Sequence, residues 1–501
     1  MTKFKLHETL KEIKKWLEPQ YHHLLDQNVY NLSTKFIYKN TLKFKTPYDC
    51  IRYLSKYYKE VKYYNSLLSK SKKIKFPYHY YDNDSDINQI LLEYIKYASN
   101  IVPILIWPTI ASNNFFKDKR SKKFIDYLNN NGQVQIVKYL KLTKKQAESF
   151  TFQCYPKSAY FKYYSNLLEN LKNKSFVNNK QNLIIIIYWK PKRENKYYFG
   201  DGTDNKGKQK IRNLLFEPYR MNLNHIIGNE FYKDRNLLHI VDSDLETINL
   251  SQLIFNNNSL DFMNYQRMDL LLGKFRKFAK SVIILNLYKK VIYSKLELID
   301  ITRLLTFSSI ILFGLGLRVA NDIDAFFYEE PKLTKSATGN LKEYIENFLS
   351  VNLGGKSRQV IELIIKGYGD WNFKEFKDYP HKWYEKDFPK LHGANNYQEL
   401  IFNPKYHFYF LGIKCAHYKG DLKRRQLRNR PAAVSDLIAI NKMTMFSLDI
   451  PPLPKKIWVS HEEVLLSGEK VEKFLIRTQK YLKFRYSIFK SIEELKSILK
   501  I

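Results

Sequence analysis

Two aspartates in the middle of the chain, Asp322 and Asp324, have the spacing of a metal site. They lie in NDIDAFF, which predicts a short strand over residues 322–327, and alternate residues of a strand point to the same face. Two carboxylates on one face repel each other unless a cation lies between them. Mg²⁺ prefers oxygen ligands such as carboxylates and phosphates, so we predict a Mg²⁺ or Mn²⁺ site. The alternative is a polar turn, which Asn321 and Asp322 also favour.

A glycine turn is predicted immediately before these aspartates. The run SSIILFG predicts a buried strand over residues 308–314, which ends in Gly314 and is followed by Gly316. Glycines let the backbone approach a phosphate closely and present N–H groups to it. Arg318 lies on the same turn, and a guanidinium binds phosphate through two parallel hydrogen bonds. We therefore predict that Gly314, Gly316 and Arg318 bind a nucleoside triphosphate.

This order of strand, glycine turn and Asp-x-Asp strand resembles the polymerase-beta-type nucleotidyltransferase superfamily. That family has a hydrophobic strand, a Gly-Ser or Gly-Gly pair, a spacer and then Asp-x-Asp. Gly314 matches the family glycine and Asp322 and Asp324 match the metal-binding carboxylates, whereas Leu315 stands where the family has a small residue. The resemblance covers residues 308–327. It implies a mixed sheet with helices and a Mg²⁺-dependent transfer of a nucleoside monophosphate.

The family also has a third catalytic carboxylate on a later strand. Glu362, in VIELII, has the apolar neighbours of a strand residue, and Asp370 and Asp421 are alternatives. The resemblance implies that one of these three completes the catalytic carboxylates, and Glu362 is the preferred candidate.

A second segment resembles the AbiEii-type toxin transferases of the same superfamily, in which a lysine precedes a basic stretch and an Asp-Leu pair. Lys414, Arg425, Arg430 and Asp436 would be the matching positions. The resemblance implies that Lys414 contacts the nucleotide. The basic stretch lies between Lys419 and Arg430, and we expect it to hold nucleic acid. The residues expected to do so are Lys423, Arg424, Arg425, Arg428 and Arg430.

The net charge favours a polyanionic partner. The chain of 501 residues has 84 Lys and Arg against 49 Asp and Glu, a formal charge of +35. Such a field captures polyanions, and RNA is the first candidate. The size and charge of the chain fit an enzyme that adds nucleotides to an RNA end without a template. Such an enzyme would be similar to the poly(A) polymerases of large DNA viruses, with ATP as the nucleotide. The alternatives are a LicD-like phosphoryl or sugar-phosphate transferase that acts on a glycan and a degenerate transferase that binds nucleic acid without catalysis.

Two other constellations could do chemistry. Residues 202–208 spell GxxxxGK, but Gln209 stands where a P-loop needs Ser or Thr for Mg²⁺. An ordinary turn with some affinity for phosphate is therefore expected. His239 lies near the end of a predicted strand, and Asp242 and Asp244 follow that strand. Ligands often bind α/β sheets at such strand ends. A structural polar cluster is the alternative.

The elements that must position these residues form an α+β or α/β multidomain chain. We predict a mainly helical region over 1–180, an α/β domain over 181–297, a nucleotidyltransferase-like domain over 298–415 and a basic helical region over 416–501. Strands are predicted at 183–189, 237–241, 281–288 and 407–415, and a helix at 298–306. Tyrosines and lysines alternate over residues 53–68. They either stack bases and hold phosphates or form a packed face with solvated lysines.

Cysteine usage and hydropathy indicate a soluble cytoplasmic protein, in a host cell or virion if it is viral. The three cysteines are far apart, so neither a zinc site nor a disulfide framework is predicted. The apolar runs are too short to span a bilayer, and no membrane span is expected.

Overall fold

Two β-sheets organise the part of the chain that the computed structural model describes. The five-stranded one is called sheet A and the four-stranded one sheet B. The described residues are 44–76, 78–80, 83–98, 101–108, 111, 115–117, 119–154, 182–192, 238–241, 244–266, 298–307, 309–317, 324–327, 388–426, 436–438 and 440.

Sheet A has the strand order β1-β3-β4-β2-β5. Its strands are β1 (Tyr78–Tyr80), β2 (Val102–Ile106), β3 (Gly132–Leu142), β4 (Asn182–Pro191) and β5 (Leu238–Ile240). Strand β4 pairs antiparallel with β2 and β3, β2 pairs antiparallel with β5, and β1 runs parallel to β3. The predicted strands at 183–189 and 237–241 are confirmed.

Helices lie on both sides of these sheets. The α-helices of the described residues are α1 (Pro47–Tyr57), α2 (Lys62–Ser71), α3 (Ser85–Tyr97), α4 (Lys119–Asn131), α5 (Lys144–Cys154), α6 (Asp244–Ile254), α7 (Asn257–Phe262), α8 (Leu298–Ile301), α9 (Ser309–Gly314), α10 (Tyr397–Phe402) and α11 (Tyr418–Gln426). Short 3-10 helices cover Phe115–Lys117 and Pro404–Tyr406.

One face of sheet A packs against helix α4 through an almost purely apolar cluster. Ile185 and Ile187 of β4 meet Phe124 and Leu128 of the helix, and all four are fully buried. Alternate residues of β4 belong to this face because strand side chains alternate. The cluster is therefore a hydrophobic core of the usual kind.

The opposite face of sheet A is more polar and is hydrogen-bonded to α3 and α6. The Tyr188 hydroxyl and the Ser251 hydroxyl of α6 lie 3.1 Å apart in a buried hydrogen bond. The Lys138 ammonium donates to the Asn88 side-chain oxygen at 3.0 Å. These contacts satisfy polar groups that would otherwise be costly to bury.

Sheet B has the order β7-β6-β9-β8. Its strands are β6 (Leu304–Phe307), β7 (Asp324–Phe327), β8 (His407–Phe410) and β9 (Ile413–Ala416). Strand β6 pairs antiparallel with β7 and parallel with β9, and β8 and β9 form an antiparallel hairpin. Sheet B is therefore mixed. The extended segment predicted at 407–415 is confirmed as this hairpin.

Two predictions about residues 298–314 are wrong in detail. The helix predicted over 298–306 ends at Ile301, and its second half is strand β6. The strand predicted over 308–314 is helix α9, in which Ile310–Phe313 are all buried. A short apolar run buried on every side has no period, so the sequence does not distinguish strand from helix there.

Sheet A also contains strands from both sides of the domain boundary predicted after residue 180. Strands β1, β2 and β3 come from the region predicted as mainly helical, and β4 and β5 from the region that follows. The coarse expectation of mixed helix and sheet is confirmed. The strand predicted at 281–288 lies outside the described residues, as does the 202–208 loop. No helix within the described ranges is both long and apolar enough to cross a membrane.

Candidate functional site

The predicted glycine turn is the C-terminal cap of helix α9. Gly316 has a φ of +81°. Its N–H donates to Phe313 O at 2.9 Å and the Leu317 N–H donates to Leu312 O at 3.0 Å. These two bonds and the left-handed glycine define a Schellman motif, the usual way to satisfy the last carbonyls of a helix. Gly316 is therefore required by the cap.

Gly314 has a separate packing reason. A Cβ atom at this position would lie 3.0 Å from Phe262 Cζ and 3.4 Å from Phe410 Cδ1. The Gly314 carbonyl accepts a hydrogen bond from Gln266 Nε2 at 2.7 Å. The strand-and-turn geometry behind the nucleotide-binding prediction for Gly314 and Gly316 is absent. The C-terminus of a helix also carries the negative end of its dipole, which disfavours phosphate.

Asp324 is the first residue of strand β7, which covers the last four residues of the strand predicted over 322–327. It pairs with Phe307, the last residue of β6. Helix α9 begins at Ser309, two residues after Phe307. Asp324 therefore lies beside the junction between β6 and α9, whereas the glycine cap lies at the far end of that helix.

Several predicted site residues lie outside the described residues. Asp322, Arg318, Glu362, Arg428 and Arg430 belong to this set, as do the alternative carboxylate Asp370 and residue Asp242. Their predicted roles stay predictions. Within the ranges that the structure describes, no group of three or more His, Cys, Asp or Glu side chains could hold a metal ion.

Lys414 lies half-buried in sheet B, and its ammonium contacts backbone carbonyl groups. Its ammonium donates to Thr302 O and to Ile401 O, the latter at 3.0 Å. It also lies 5.8 Å from the centre of the Phe402 ring. Burial, reinforced by the nearby Lys96 charge, lowers the pKa of Lys414 to about 7. Lys414 thus joins β9 to the residues at the ends of α8 and α10. Its predicted contact with nucleotide stays a prediction.

Arg424 and Arg425, predicted to bind nucleic acid, are buried in an ion-pair network that includes Asp421 and Asp436. Asp421 Oδ1 lies 2.7 Å from Arg424 Nη2, and Arg425 Nε donates to Asp421 Oδ2 at 3.1 Å. Arg425 Nη1 donates to Asp436 Oδ2 at 2.8 Å. The network contains two cations and two anions, so its formal charge is zero. These arginines do not reach the surface, and their assignment to nucleic acid is corrected here.

The same geometry removes Asp421 from the candidates for a third catalytic carboxylate, because both of its oxygens bind guanidinium groups. Arg425 and Asp436 are two positions of the AbiEii-like segment, and they form an ion pair. Lys423 is the one exposed side chain among the three cations Lys423, Arg424 and Arg425. The signal available in the sequence was the position of Asp421, three and four residues before the two arginines.

Aromatic rings and a histidine, which sequence reasoning did not assign to a site, surround Arg424. Its guanidinium carbon lies 5.3 Å from the centre of the Phe307 ring and 5.8 Å from that of Phe388. His392 packs against Phe388 with ring centres 4.7 Å apart. Burial lowers the pKa of His392 to about 3, so this imidazole is neutral at physiological pH. Because Phe307 pairs with Asp324, the Arg424 network lies against the strand next to that aspartate.

His239 lies in β5 and has a partly buried side chain. Its predicted partner Asp244 begins helix α6. The two residues are therefore placed at a strand end and the following helix start, and their proposed chemistry stays a prediction.

Comparisons of this chain with protein-family models, with curated proteins and with solved structures gave no match.

Proposed function

We propose that this protein is a Mg²⁺-dependent nucleotidyltransferase that moves a nucleoside monophosphate from a nucleoside triphosphate to an acceptor, an RNA end. The observation that carries the proposal is the position of Asp324. It starts a strand that pairs antiparallel with β6, opposite the last residue of β6 and beside the start of α9. A hydrophobic strand, a helix and a strand that starts at Asp324 thus follow one another along the chain, and Asp324 belongs to the predicted Asp-x-Asp pair.

We also propose a different match for the small pair of the superfamily pattern. In the superfamily the pair follows the hydrophobic strand directly. The strand is β6, which ends at Phe307, and the next two residues are Ser308 and Ser309. We therefore assign the small pair to Ser308 and Ser309 and give Gly316 the role of a helix cap.

The donor chemistry of the two aspartates fits Mg²⁺. Asp322 and Asp324 would supply two carboxylates, and the remaining ligands would be phosphate oxygens and water, as is usual for Mg²⁺. The ion would neutralise charge that develops on the phosphate groups. The described residues add no third carboxylate, and Glu362 stays the candidate for that role.

The protein's own contribution is to hold the reacting groups in line. In the proposed reaction the acceptor hydroxyl oxygen forms a bond to the α-phosphorus, the bond to the pyrophosphate oxygen breaks, and the hydroxyl proton passes to a base. Positioning and electrostatic stabilisation provide most of the rate in such transfers. The Arg424 network braces Phe307, and through it the end of β6 beside Asp324. In this proposal Arg424 is a positioning residue, because its guanidinium is buried against the Phe307 ring.

The first prediction concerns Asp324→Asn. This change keeps the size of the side chain and removes one charged metal ligand. We expect transfer of label from α-labelled ATP to RNA in the presence of Mg²⁺ to fall at least about a hundredfold, the scale of losing one electrostatic contact in the transition state. Each of the four NTPs would be tested in parallel, because the base is not fixed by the chain's described residues.

Asp126→Asn, on the exposed side of α4, is the matched control and should retain activity. Transfer that survives unchanged in Asp324→Asn contradicts the site. RNA binding by a protein that transfers none of the four nucleotides would favour a degenerate transferase, and transfer to a glycan would favour the LicD-like alternative.

A further inference from the structure

Helices α1 and α2 present a strongly basic surface, here called the α1–α2 surface, which comprises the solvent-facing side chains of residues 44–76. Its acidic residues are Asp49 and Glu60. Asp49 is already engaged by the capping box of α1, in which it accepts from Thr46 N at 3.2 Å. The exposed basic side chains are Lys45, Arg52, Lys56, Lys59, Lys62, Lys72, Lys73 and Lys75.

Aromatic rings lie among these cations. Tyr57 is 41% exposed, and Tyr48 and Tyr53 are half-buried. The Tyr53 and Tyr57 rings are stacked with centres 6.3 Å apart, and Phe44 lies 5.6 Å from Tyr53. A row of rings therefore runs along α1 with edges or faces open to solvent.

Cations flank this row at contact distance. The Arg52 guanidinium lies 5.8 Å from the centre of the Tyr48 ring and the Lys72 ammonium 5.7 Å from it. Arg303, which precedes strand β6, lies 5.5 Å from the centre of the Tyr57 ring. Lys72 brings the end of α2 next to the start of α1, so the basic groups of the two helices form one continuous surface.

The buried side of helices α1 and α2 fixes the positions of these surface residues. Tyr58 and Tyr64 stack with ring centres 5.2 Å apart, and Phe402 of α10 lies 5.2 Å from Tyr58. The Tyr58 hydroxyl and the Thr302 hydroxyl lie 2.6 Å apart. One set of tyrosines therefore packs the interior while Tyr57 stays at the surface. The packed-face interpretation of the Tyr–Lys alternation is confirmed for Tyr58 and Tyr64, and base stacking stays a prediction.

We propose that the α1–α2 surface binds single-stranded RNA, with the cations on phosphates and the rings of Tyr57 and Tyr53 stacked on bases. Basic groups alone would serve any polyanion, but exposed rings add contacts that only unpaired bases can use. The α1–α2 surface replaces the buried Arg424 and Arg425 as the expected contact with the acceptor. The choice of RNA as the polymer rests on the proposed function. Tyr58 donates to Ile299 O, and Arg303 links this surface to β6, so RNA held here lies against the same sheet as Asp324.

The test measures fluorescence anisotropy of a labelled oligouridylate with the full chain, without Mg²⁺ or NTP, over a series of salt concentrations. The surface variant is Arg52→Gln, Lys56→Gln and Lys59→Gln together, which removes three charges from α1 and the turn that follows it. We expect affinity at low salt to fall at least about tenfold and the slope of log affinity against log salt to fall by about two.

The matched control is Lys119→Gln, Lys122→Gln and Lys123→Gln on helix α4, whose lysines are also exposed. It removes the same net charge from a helix on the far face of sheet A. We expect its affinity to stay within about threefold of the parent, the effect of net charge alone. Equal losses in the surface and control variants overturn the proposal.

Tyr57→Leu tests stacking separately. Leucine keeps apolar bulk against Tyr58 but has no ring, so we expect a loss of about tenfold with no change in salt slope. Unchanged affinity in Tyr57→Leu, or equally tight binding of a duplex RNA or of anionic lipid vesicles, overturns the single-strand assignment. Because the assay contains no nucleotide, Asp324→Asn should bind normally. RNA binding that falls in the surface variant as expected, in a parent protein that transfers no nucleotide, would count against the catalytic proposal alone.

Discussion

Two regions of this molecule, the core between sheet A and helix α4 and the interior around sheet B, bury very different side chains. Between sheet A and helix α4 the core is apolar, with residues such as Ile187 and Phe124 fully covered. Around sheet B the interior holds charges, among them Asp421, Arg424 and Arg425. Buried ionic groups add little to stability compared with apolar residues of similar volume, and perturbed ionisable groups concentrate at functional sites. The contrast indicates that the sheet A core mainly maintains the fold, and it is one reason to place the function beside sheet B.

The largest effect we expect on stability comes from Asp421→Asn. This change leaves Arg424 and Arg425 buried with only Asp436 to balance them, and an uncompensated buried charge costs about 3 to 5 kcal/mol. The free energy of unfolding from urea titration would measure it. Asp126→Asn on α4 serves again as the control, with an expected change within about 0.5 kcal/mol. A cost for Asp421→Asn no greater than that of the control would mean that the ion-pair network is not formed.

The next effect is a pH dependence that belongs to Lys414. Its folded-state pKa of about 7 lies below that of an exposed lysine, so the unfolded chain binds more protons above pH 7. Stability therefore rises with pH from that value, by about 1 to 2 kcal/mol between pH 7 and 8.5. Burial raises the pKa of Cys50, Cys154 and Cys415, and the unfolded thiols begin to titrate in the upper part of that window. Their effect has the opposite sign.

Lys414→Met should remove this rise, because methionine fills the same space without a titratable group. Unfolding free energies of the parent and variant at pH 7.0, 7.75 and 8.5 would show the difference as a change in slope. Parallel slopes would mean that Lys414 is not the group responsible, and the buried polar character of sheet B would then lack this part of its support.

The smallest effect concerns the cap of α9. Gly316→Ala forces a Cβ into the left-handed region and should cost about 1 to 2 kcal/mol. Gly316→Asn should cost less, since asparagine tolerates this region. Under the proposed function neither variant changes the KM for nucleotide, whereas a phosphate-binding glycine would raise KM in both. The combination of stability and KM therefore separates a cap from a substrate contact.

The sequence predicted some of these elements because their signals are local. The run Leu183–Trp189 is long, β-branched and apolar, and it forms β4. Asp324 was placed on a strand because alternation and its apolar neighbours favour one. In contrast, SSIILFG contains no polar residue after Ser309, so its hydrophobic periodicity does not distinguish a strand from a helix. For the same reason the sequence does not show that Gly316 caps a helix. A helix C-terminus and a strand end both use glycine, and only the hydrogen bonds of Leu312–Leu317 distinguish them.

The buried charges were harder to predict. The stretch that contains Arg424 and Arg425 has the composition of a solvated helix, and nothing local indicates that it packs on Phe307 and Phe388. Asp436, which completes the network, is 11 residues beyond Arg425. Long-range pairing of this kind depends on the tertiary fold, as does the contact of Lys414 with two carbonyl groups.

The central claim, that nucleotide and metal bind beside Asp324, is tested most directly by locating the metal. Crystals grown with Mn²⁺ and a non-hydrolysable NTP would be measured for anomalous scattering. We expect a manganese peak within coordination distance of Asp324, about 2.2 Å, with the phosphates near the β6–α9 junction. A peak bound elsewhere on the chain, or nucleotide bound at the Gly316 cap, would contradict the claim.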